Sequence, residues 1–297
     1  MVMPKTECTI LMRTSFIISI RIGSQHRQTS RPVISKFEVV GLLLLFSVVQ
    51  YMYCERQCSI IESKGLDEVI ERRTAMESIE QNSLYGRKFS IAKENPSIPG
   101  CTISKEIHSG ENYITVFSLA KNTDISAEIY PYYKMIVVAA GSLEVYGNNG
   151  FTRNLETGDS IVTLTDTPMG MRTSEGTVYT EVAVRKDDIM NELIKAGEVF
   201  RLAELVPYAE GKIVNMDVVH NDKMKFVVMA FDEGTGLSEH AAPGEAIIFA
   251  LDGEGVIGYE GEEHPIQAGE NFRFAKGGLH SVKATRKFKM ALLLTLE

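Results

Sequence analysis

The segment from Gly236 to Gly253, GLSEHAAPGEAIIFALDG, decides how the chain is read, together with a second segment from Gly269 to His280, GENFRFAKGGLH. Each sets a histidine, His240 or His280, beside a glycine-punctuated turn and an apolar run of strand length. That pattern brings imidazoles distant in sequence together inside a β-barrel.

Working outward, the chain repeats itself. Gly86, Phe89, Ala92, Pro96 and Gly100 recur 111 residues later as Gly197, Phe200, Ala203, Pro207 and Gly211. Ser126, Pro131 and Gly141 recur 112 residues later as Ser238, Pro243 and Gly253, and Gly158 returns at 111 as Gly269. An offset that shifts by one residue across the whole span points to two copies of one domain of about 100 residues. Within the copies, Tyr113 to Leu119, Met135 to Ala140 and Thr177 to Val184 are apolar or β-branched runs bounded by turn formers. Lys225 to Phe231, Ala246 to Leu251 and Lys287 to Leu294 are their counterparts. Gly147-Asn148-Asn149-Gly150 and Gly253-Glu254-Gly255 read as turns between them. Short strands so punctuated predict an all-β sandwich or jelly-roll barrel. Between the copies, the stripe of Ile189, Leu193 and Ile194 with Gly197 as a stop predicts a connecting helix over 187–196.

Composition narrows the functions. The 297 residues suffice for one large or two ordinary domains, and 44% apolar with 24% charged residues is ordinary for a soluble globular protein. A net charge of −8, with no basic stripe, argues against nucleic acid as a partner. The charge is uneven. Residues 1–75 carry ten Lys/Arg against seven Asp/Glu, and the remaining 222 carry 21 against 32. Cys8, Cys54 and Cys58 fall in the first segment, leaving Cys101 without an intradomain disulfide partner, which suits a reducing, cytoplasmic setting.

Residues 1–75 do not conform to the rest. Their basic residues precede an apolar run, Val39 to Val49, whose 11 residues fall short of the roughly 20 that a spanning helix needs. The segment reads as a leader, as an anchor, or as sequence upstream of a start at Met76. Leu66, Val69, Ile70 and Met76 to Ile79 recur at helical spacing, which fits a short amphipathic helix or a solvated connector. The domain organisation expected is therefore a non-conforming segment over 1–75, one β-domain over 76–186, the linker helix over 187–196, and a second β-domain over 197–297.

The two histidine-bearing segments resemble the paired sequence motifs of the cupin family. The resemblance implies two tandem double-stranded β-helix (jelly-roll) barrels and a divalent metal held by motif residues. Carried over residue by residue, His240 falls on the second histidine of the first motif, Glu245 follows it after four residues as the motif asks, and His280 falls on the histidine of the second motif. The first histidine of the motif is replaced by Ser238. Seven residues rather than six separate Glu245 from Gly253, so Glu245 either points away from the lumen or requires a bulge.

The set His240, Glu245 and His280 would supply the three protein ligands of a catalytic Fe, Mn, Ni, Cu or Zn site. Its alternative is a pair of lumen histidines without metal. Ser238 and Lys283 are candidate ligand-pocket residues, His264 could complete a site or lie exposed on a hairpin, and His220 reads as a loop residue. In the first copy, Glu128, Tyr133 and Met169 stand where the second has His240, Glu245 and His280. The lumen there would carry Tyr130, Tyr132, Tyr133 and Met169 with Lys134 nearby, as either an apolar pocket or a filled barrel. Three functions stay open: a cupin that binds a small molecule in its C-terminal barrel, a metal-dependent dioxygenase, isomerase or decarboxylase, and a structural protein. The family's habit of pairing barrels implies a homodimer.

Overall fold

The computed structural model describes residues 85–296. The first half contributes β1 (Lys88–Phe89), β2 (Thr102–His108), β3 (Ile114–Leu119), β4 (Thr123–Ile129), β5 (Tyr133–Gly147), β6 (Thr152–Glu156), β7 (Asp159–Val162), β8 (Pro168–Thr173) and β9 (Thr177–Val184). After a short β10 (Ile189–Met190) come β11 (Val199–Arg201), β12 (Ile213–His220), β13 (Met224–Phe231), β14 (Gly236–Ala241), β15 (Glu245–Tyr259), β16 (Glu262–Gln267), β17 (Asn271–Phe274) and β18 (Leu279–Thr295). One four-residue α-helix, α1 (Ile91–Glu94), is capped by Ser90, whose Oγ accepts from the Lys93 N–H. No helix among the described residues is long and apolar enough to cross a membrane.

The strands form two nine-stranded antiparallel sheets. One runs β11-β7-β5-β9-β3-β2, with β6 and β8 on β5 and β4 on β8. The other runs β1-β17-β15-β18-β13-β12-β10, with β14 on β18 and β16 on β15. The orders match with two exceptions: the counterparts of β8 and β9 run on as the single strand β18, and β10 adds an edge strand on β12 that has no counterpart on β2. The short strands that lead into each copy are exchanged. Lys88 pairs with Phe272 across β1 and β17, whereas Val199 pairs with Ile161 across β11 and β7.

Period-two alternation sends each long strand's side chains to two different cores. On β15, Ala246, Ile248 and Ala250 face a core enclosed by their own sheet, with Phe231, Phe272, Phe274 and Phe288. Ile247 and Phe249 face a core shared with the other sheet, where Met135, Val137 and Val182 meet Phe226, Val228 and Leu293. On β5, Ile136 and Val138 face inward and Met135 and Val137 face the shared core. Burying each such side chain stabilises by roughly 1.5–3 kcal/mol, which ties the two halves together.

Each sheet curls because one of its long strands changes partners midway. β5 pairs with β7 and β9 before Gly141, and with β6 and β8 after it. β15 behaves alike about Gly253, with breaks in register between Ala250 and Asp252 and between Gly253 and Gly255. Gly253-Glu254-Gly255 is thus a bulged bend inside one strand rather than the chain-reversing turn expected. The repeated glycine has a physical cause. Gly141 and Gly253 have φ of 79° and 71°, and a Cβ would lie 2.1 Å from the Gly176 carbonyl oxygen or 1.8 Å from that of Lys287.

The helix expected over 187–196 is absent. Ile189 and Met190 pair with His220 and Val219, the Asn191 side chain caps the Leu193 N–H and bonds the Asp217 carbonyl, and Asp188 accepts from the Arg185 N–H. These local side-chain bonds compete with helix. Of the apolar stripe only Ile194 is buried, so no face was available to stabilise one. The readings over residues 1–75 and the short amphipathic helix lie outside the described residues. Gly253→Ala is expected to cost at least about 2–3 kcal/mol in chemical denaturation, against about 1 kcal/mol for Gly261→Ala, where φ is also positive but nothing lies within 4 Å of the added carbon.

Candidate functional site

The two motif histidines meet. On β14 a bulge between Leu237 and His240 turns His240 onto the inner face, where it pairs in register with His280 of β18. Their ring centroids are 4.2 Å apart. His240 is exposed and His280 is 6% exposed, so the pair spans the step from solvent into the second sheet's core. His280 stacks on Phe274 at 4.2 Å, and Phe274 in turn stacks on Tyr259. Gly278 allows this, because a Cβ there would lie 2.7 Å from the Tyr259 ring.

Backbone carbonyls set the tautomer of both rings. His240 Nδ1 lies 2.8 Å from the Ser238 carbonyl oxygen and His280 Nδ1 lies 3.2 Å from that of Gly278. A carbonyl only accepts, so each Nδ1 carries the proton and donates it. In the neutral rings each Nε2 therefore keeps a lone pair. Burial pushes the His280 pKa below its ordinary 6.5; the Gly278 bond opposes this and His240 reinforces it. Neutral imidazoles side by side can accept hydrogen bonds from a protic group or donate to a metal.

Glu245 does not join them. It stands at the start of β15 on the face of Ile247, toward the shared core, while Ala246 and Ile248 take the inner face. Both readings open for the long Glu245–Gly253 spacing hold: a bulge lies between Ala250 and Asp252, and alternation from the buried Ala246 and Ile248 leaves Glu245 the outer face. There it accepts from Arg273 Nη2 at 2.9 Å, and Arg273 is 3% exposed with its guanidinium over the Tyr85 ring. Burial pushes the Glu245 carboxyl up. The hydrogen bonds from Tyr85 and Arg273, the Arg273 charge and nearby His108 outweigh it and hold the carboxyl below its ordinary 4.5.

Lys283 is also misplaced as a pocket residue: it lies exposed between buried Val282 and Ala284, on the outer face of β18. Ser238 is exposed and supplies its carbonyl to His240. His264 packs 4.9 Å from Phe272, and the ring contacts run on through Phe274 to His280, so His264 sits beyond these phenylalanines rather than in the pair. His220 ends β12 rather than lying in a loop, 3.7 Å from Asp217.

The donor set does not fit the metal that the motifs imply. A catalytic site takes three protein ligands, and the pair supplies two imidazoles while the carboxylate expected third is engaged by Arg273 on the opposite face. Among the described residues no group of three or more His, Cys, Asp and Glu could hold a metal ion. Arg273 and Tyr85, which claim Glu245, were missed in the sequence. The signal was there in Asn271 to Phe274, where an arginine alternates with two core phenylalanines and so must face the other core. In the first half Glu128 pairs with Met169 as His240 pairs with His280. Met169 is buried inside that sheet, but Tyr133 packs against the shared core instead of the lumen expected for it.

The Arg273 pair gives a signed pH dependence. Because the folded carboxyl titrates below the unfolded one, its contribution is present above about pH 4.5 and disappears as pH falls through the folded value. Glu245→Gln, which leaves a buried guanidinium unpaired, should cost about 1–3 kcal/mol at pH 7, a figure discounted for the 38% exposure of the Glu245 side chain. In denaturation curves that difference should shrink as the buffer is taken below pH 4. A constant difference at all pH values would contradict the assignment.

Residues 227–296 match the family model described as Cupin domain. No curated protein matches the chain. Among solved structures it is similar to the Cupin 2 conserved barrel domain protein from Leptotrichia buccalis, with 26% identity, a TM-score of 0.63, and 71% of this chain and 97% of that one covered. It is also similar to AerE from Microcystis aeruginosa (17% identity, TM-score 0.42, 66% and 93% covered) and to salicylate 1,2-dioxygenase from Pseudaminobacter salicylatoxidans (12%, 0.47, 62% and 71%). The matched region spans both paired histidines, and over residues 227–296 the chain is similar to a cupin domain.

Proposed function

We propose that the two sheets are tandem cupin barrels and that the C-terminal one binds a small protic molecule at the His240–His280 pair without a three-ligand metal centre. The observation that carries this reading is the pair of Nδ1–carbonyl contacts, from which a matched tautomer follows. Two carbonyls claim the two Nδ1 protons, so two Nε2 lone pairs remain as adjacent hydrogen-bond acceptors at the edge of an apolar, aromatic core. A phenol, enol or similar donor supplies the protons those lone pairs require, and its apolar body fits the Phe274 and Tyr259 rings. The nearly full-length coverage of the Leptotrichia protein supports the tandem arrangement. A homodimer, where the family's barrels pair, completes the proposal.

Calorimetric titration and thermal shift with a panel of phenols and enols, each beside its O-methyl ether and run in chelator, test this. Binding should require the free hydroxyl, and His240→Ala or His280→Ala should weaken it by roughly tenfold, the worth of one hydrogen bond to a half-buried acceptor. Equal binding of ether and hydroxyl, or a stoichiometric Fe, Mn, Ni, Cu or Zn that is lost in both variants, would overturn it.

A further inference from the structure

The N-terminal copy lacks the histidines but holds a different constellation inside its sheet. Lys134 of β5, 7% exposed, places its Nζ 3.2 Å from Glu181 Oε1 of β9, itself 2% exposed. The Tyr113 hydroxyl donates to the same Oε1 at 2.7 Å and lies 3.3 Å from that of Tyr132. The Tyr130 ring roofs the ammonium, 3.7 Å from Nζ to centroid, and its hydroxyl is tethered to the exposed Glu128. Deeper in, the Tyr179 ring stacks on Phe117 at 5.1 Å, and its fully buried hydroxyl has no hydrogen-bond partner among the described residues. That hydroxyl lies within electrostatic reach of Glu181 and Tyr130.

Nothing in the fold demands charge here. Ile136 pairs with Glu181 as Ile248 pairs with Leu292, and Lys134 corresponds to Ala246, so the second copy builds the same layer from apolar residues. Replacing a buried ion pair by apolar residues is commonly neutral or stabilising, so its presence in only one of two equivalent barrels is not explained by stability. An unpartnered buried phenol facing the same interior is a further polar group without a structural role. A buried lysine with a carboxylate in reach of its proton, under an aromatic roof that connects to solvent through Glu128, has the amine and the proton acceptor that carbonyl capture uses.

We propose that this lumen is a second site, separate from the histidine pair, where Lys134 forms a Schiff base with a small hydroxy-aldehyde or hydroxy-ketone. The ammonium first passes one proton to Glu181. The freed nitrogen pair forms a C–N bond to the carbonyl carbon while the π pair moves to oxygen, and a proton shifts from nitrogen to that oxygen to give the carbinolamine. Glu181 returns its proton to the hydroxyl, the C–O bond breaks, and water leaves as the nitrogen pair closes the C=N bond. The balance is ammonium plus carbonyl to iminium plus water, with no change of oxidation state. Tyr113 holds Glu181 in place, the Tyr179 hydroxyl bonds the ligand's own hydroxyl, and Tyr130 swings aside for entry.

The test uses the whole wild-type chain with glycolaldehyde and cyanoborohydride at neutral pH, followed by peptide mapping of every lysine. Lys134, though nearly buried, should be alkylated at least about tenfold faster than exposed Lys121 and Lys276, as expected of a preorganised amine. Glu181→Gln should slow labelling at Lys134 about tenfold and leave Lys121 unchanged. Lys134 labelled no faster than the two exposed lysines, or left unlabelled, would overturn the proposal whatever the variant does.

Discussion

A strand that must serve two layers has to turn over without losing its ladder, and everything specific in this protein depends on that constraint being met at Gly141 and Gly253. Only a residue without a Cβ can take the left-handed bend with a neighbouring carbonyl pressed against it. Past Gly253, β15 remains paired with β18 down to Tyr259 and His280. That pairing places β18 between β15 and β14, and so sets His280 opposite His240. The histidine pair is a consequence of the bend, one link removed.

Two sheets of similar strand order hold two different sets of side chains. The position pair held by His240 and His280 in one copy is Glu128 and Met169 in the other, and the layer that is apolar beneath the histidines becomes Lys134 and Glu181. Period-two alternation makes this divergence easy, since a side chain facing the enclosed core can change while its neighbours on the shared core stay apolar. Exchange of β1 and β11 between the sheets, with the shared core of Val137, Phe226 and Phe249, keeps the copies joined.

The repeat and the strands were legible because period-two runs and left-handed glycines are local demands that any sequence must satisfy. The meeting of His240 and His280 was legible through the motif spacing. The destination of Glu245 was not, because a single inserted residue reverses the face on which it emerges, and its partners Arg273 and Tyr85 come from distant segments. The linker over 187–196 forms no helix because helical spacing stabilises only with a surface to bury it, and Ile189 and Leu193 are exposed. Lys134 was visible, but its pairing with Glu181 of β9 depended on strand order.

The central claim is that two backbone carbonyls fix both imidazoles with Nδ1 protonated and Nε2 bare. Long-range proton–nitrogen NMR correlation of the histidine side chains, at a pH where both rings are neutral, reads that state directly. The account predicts the Nδ1–H tautomer for His240 and His280 alike. An Nε2–H tautomer at either ring would contradict it.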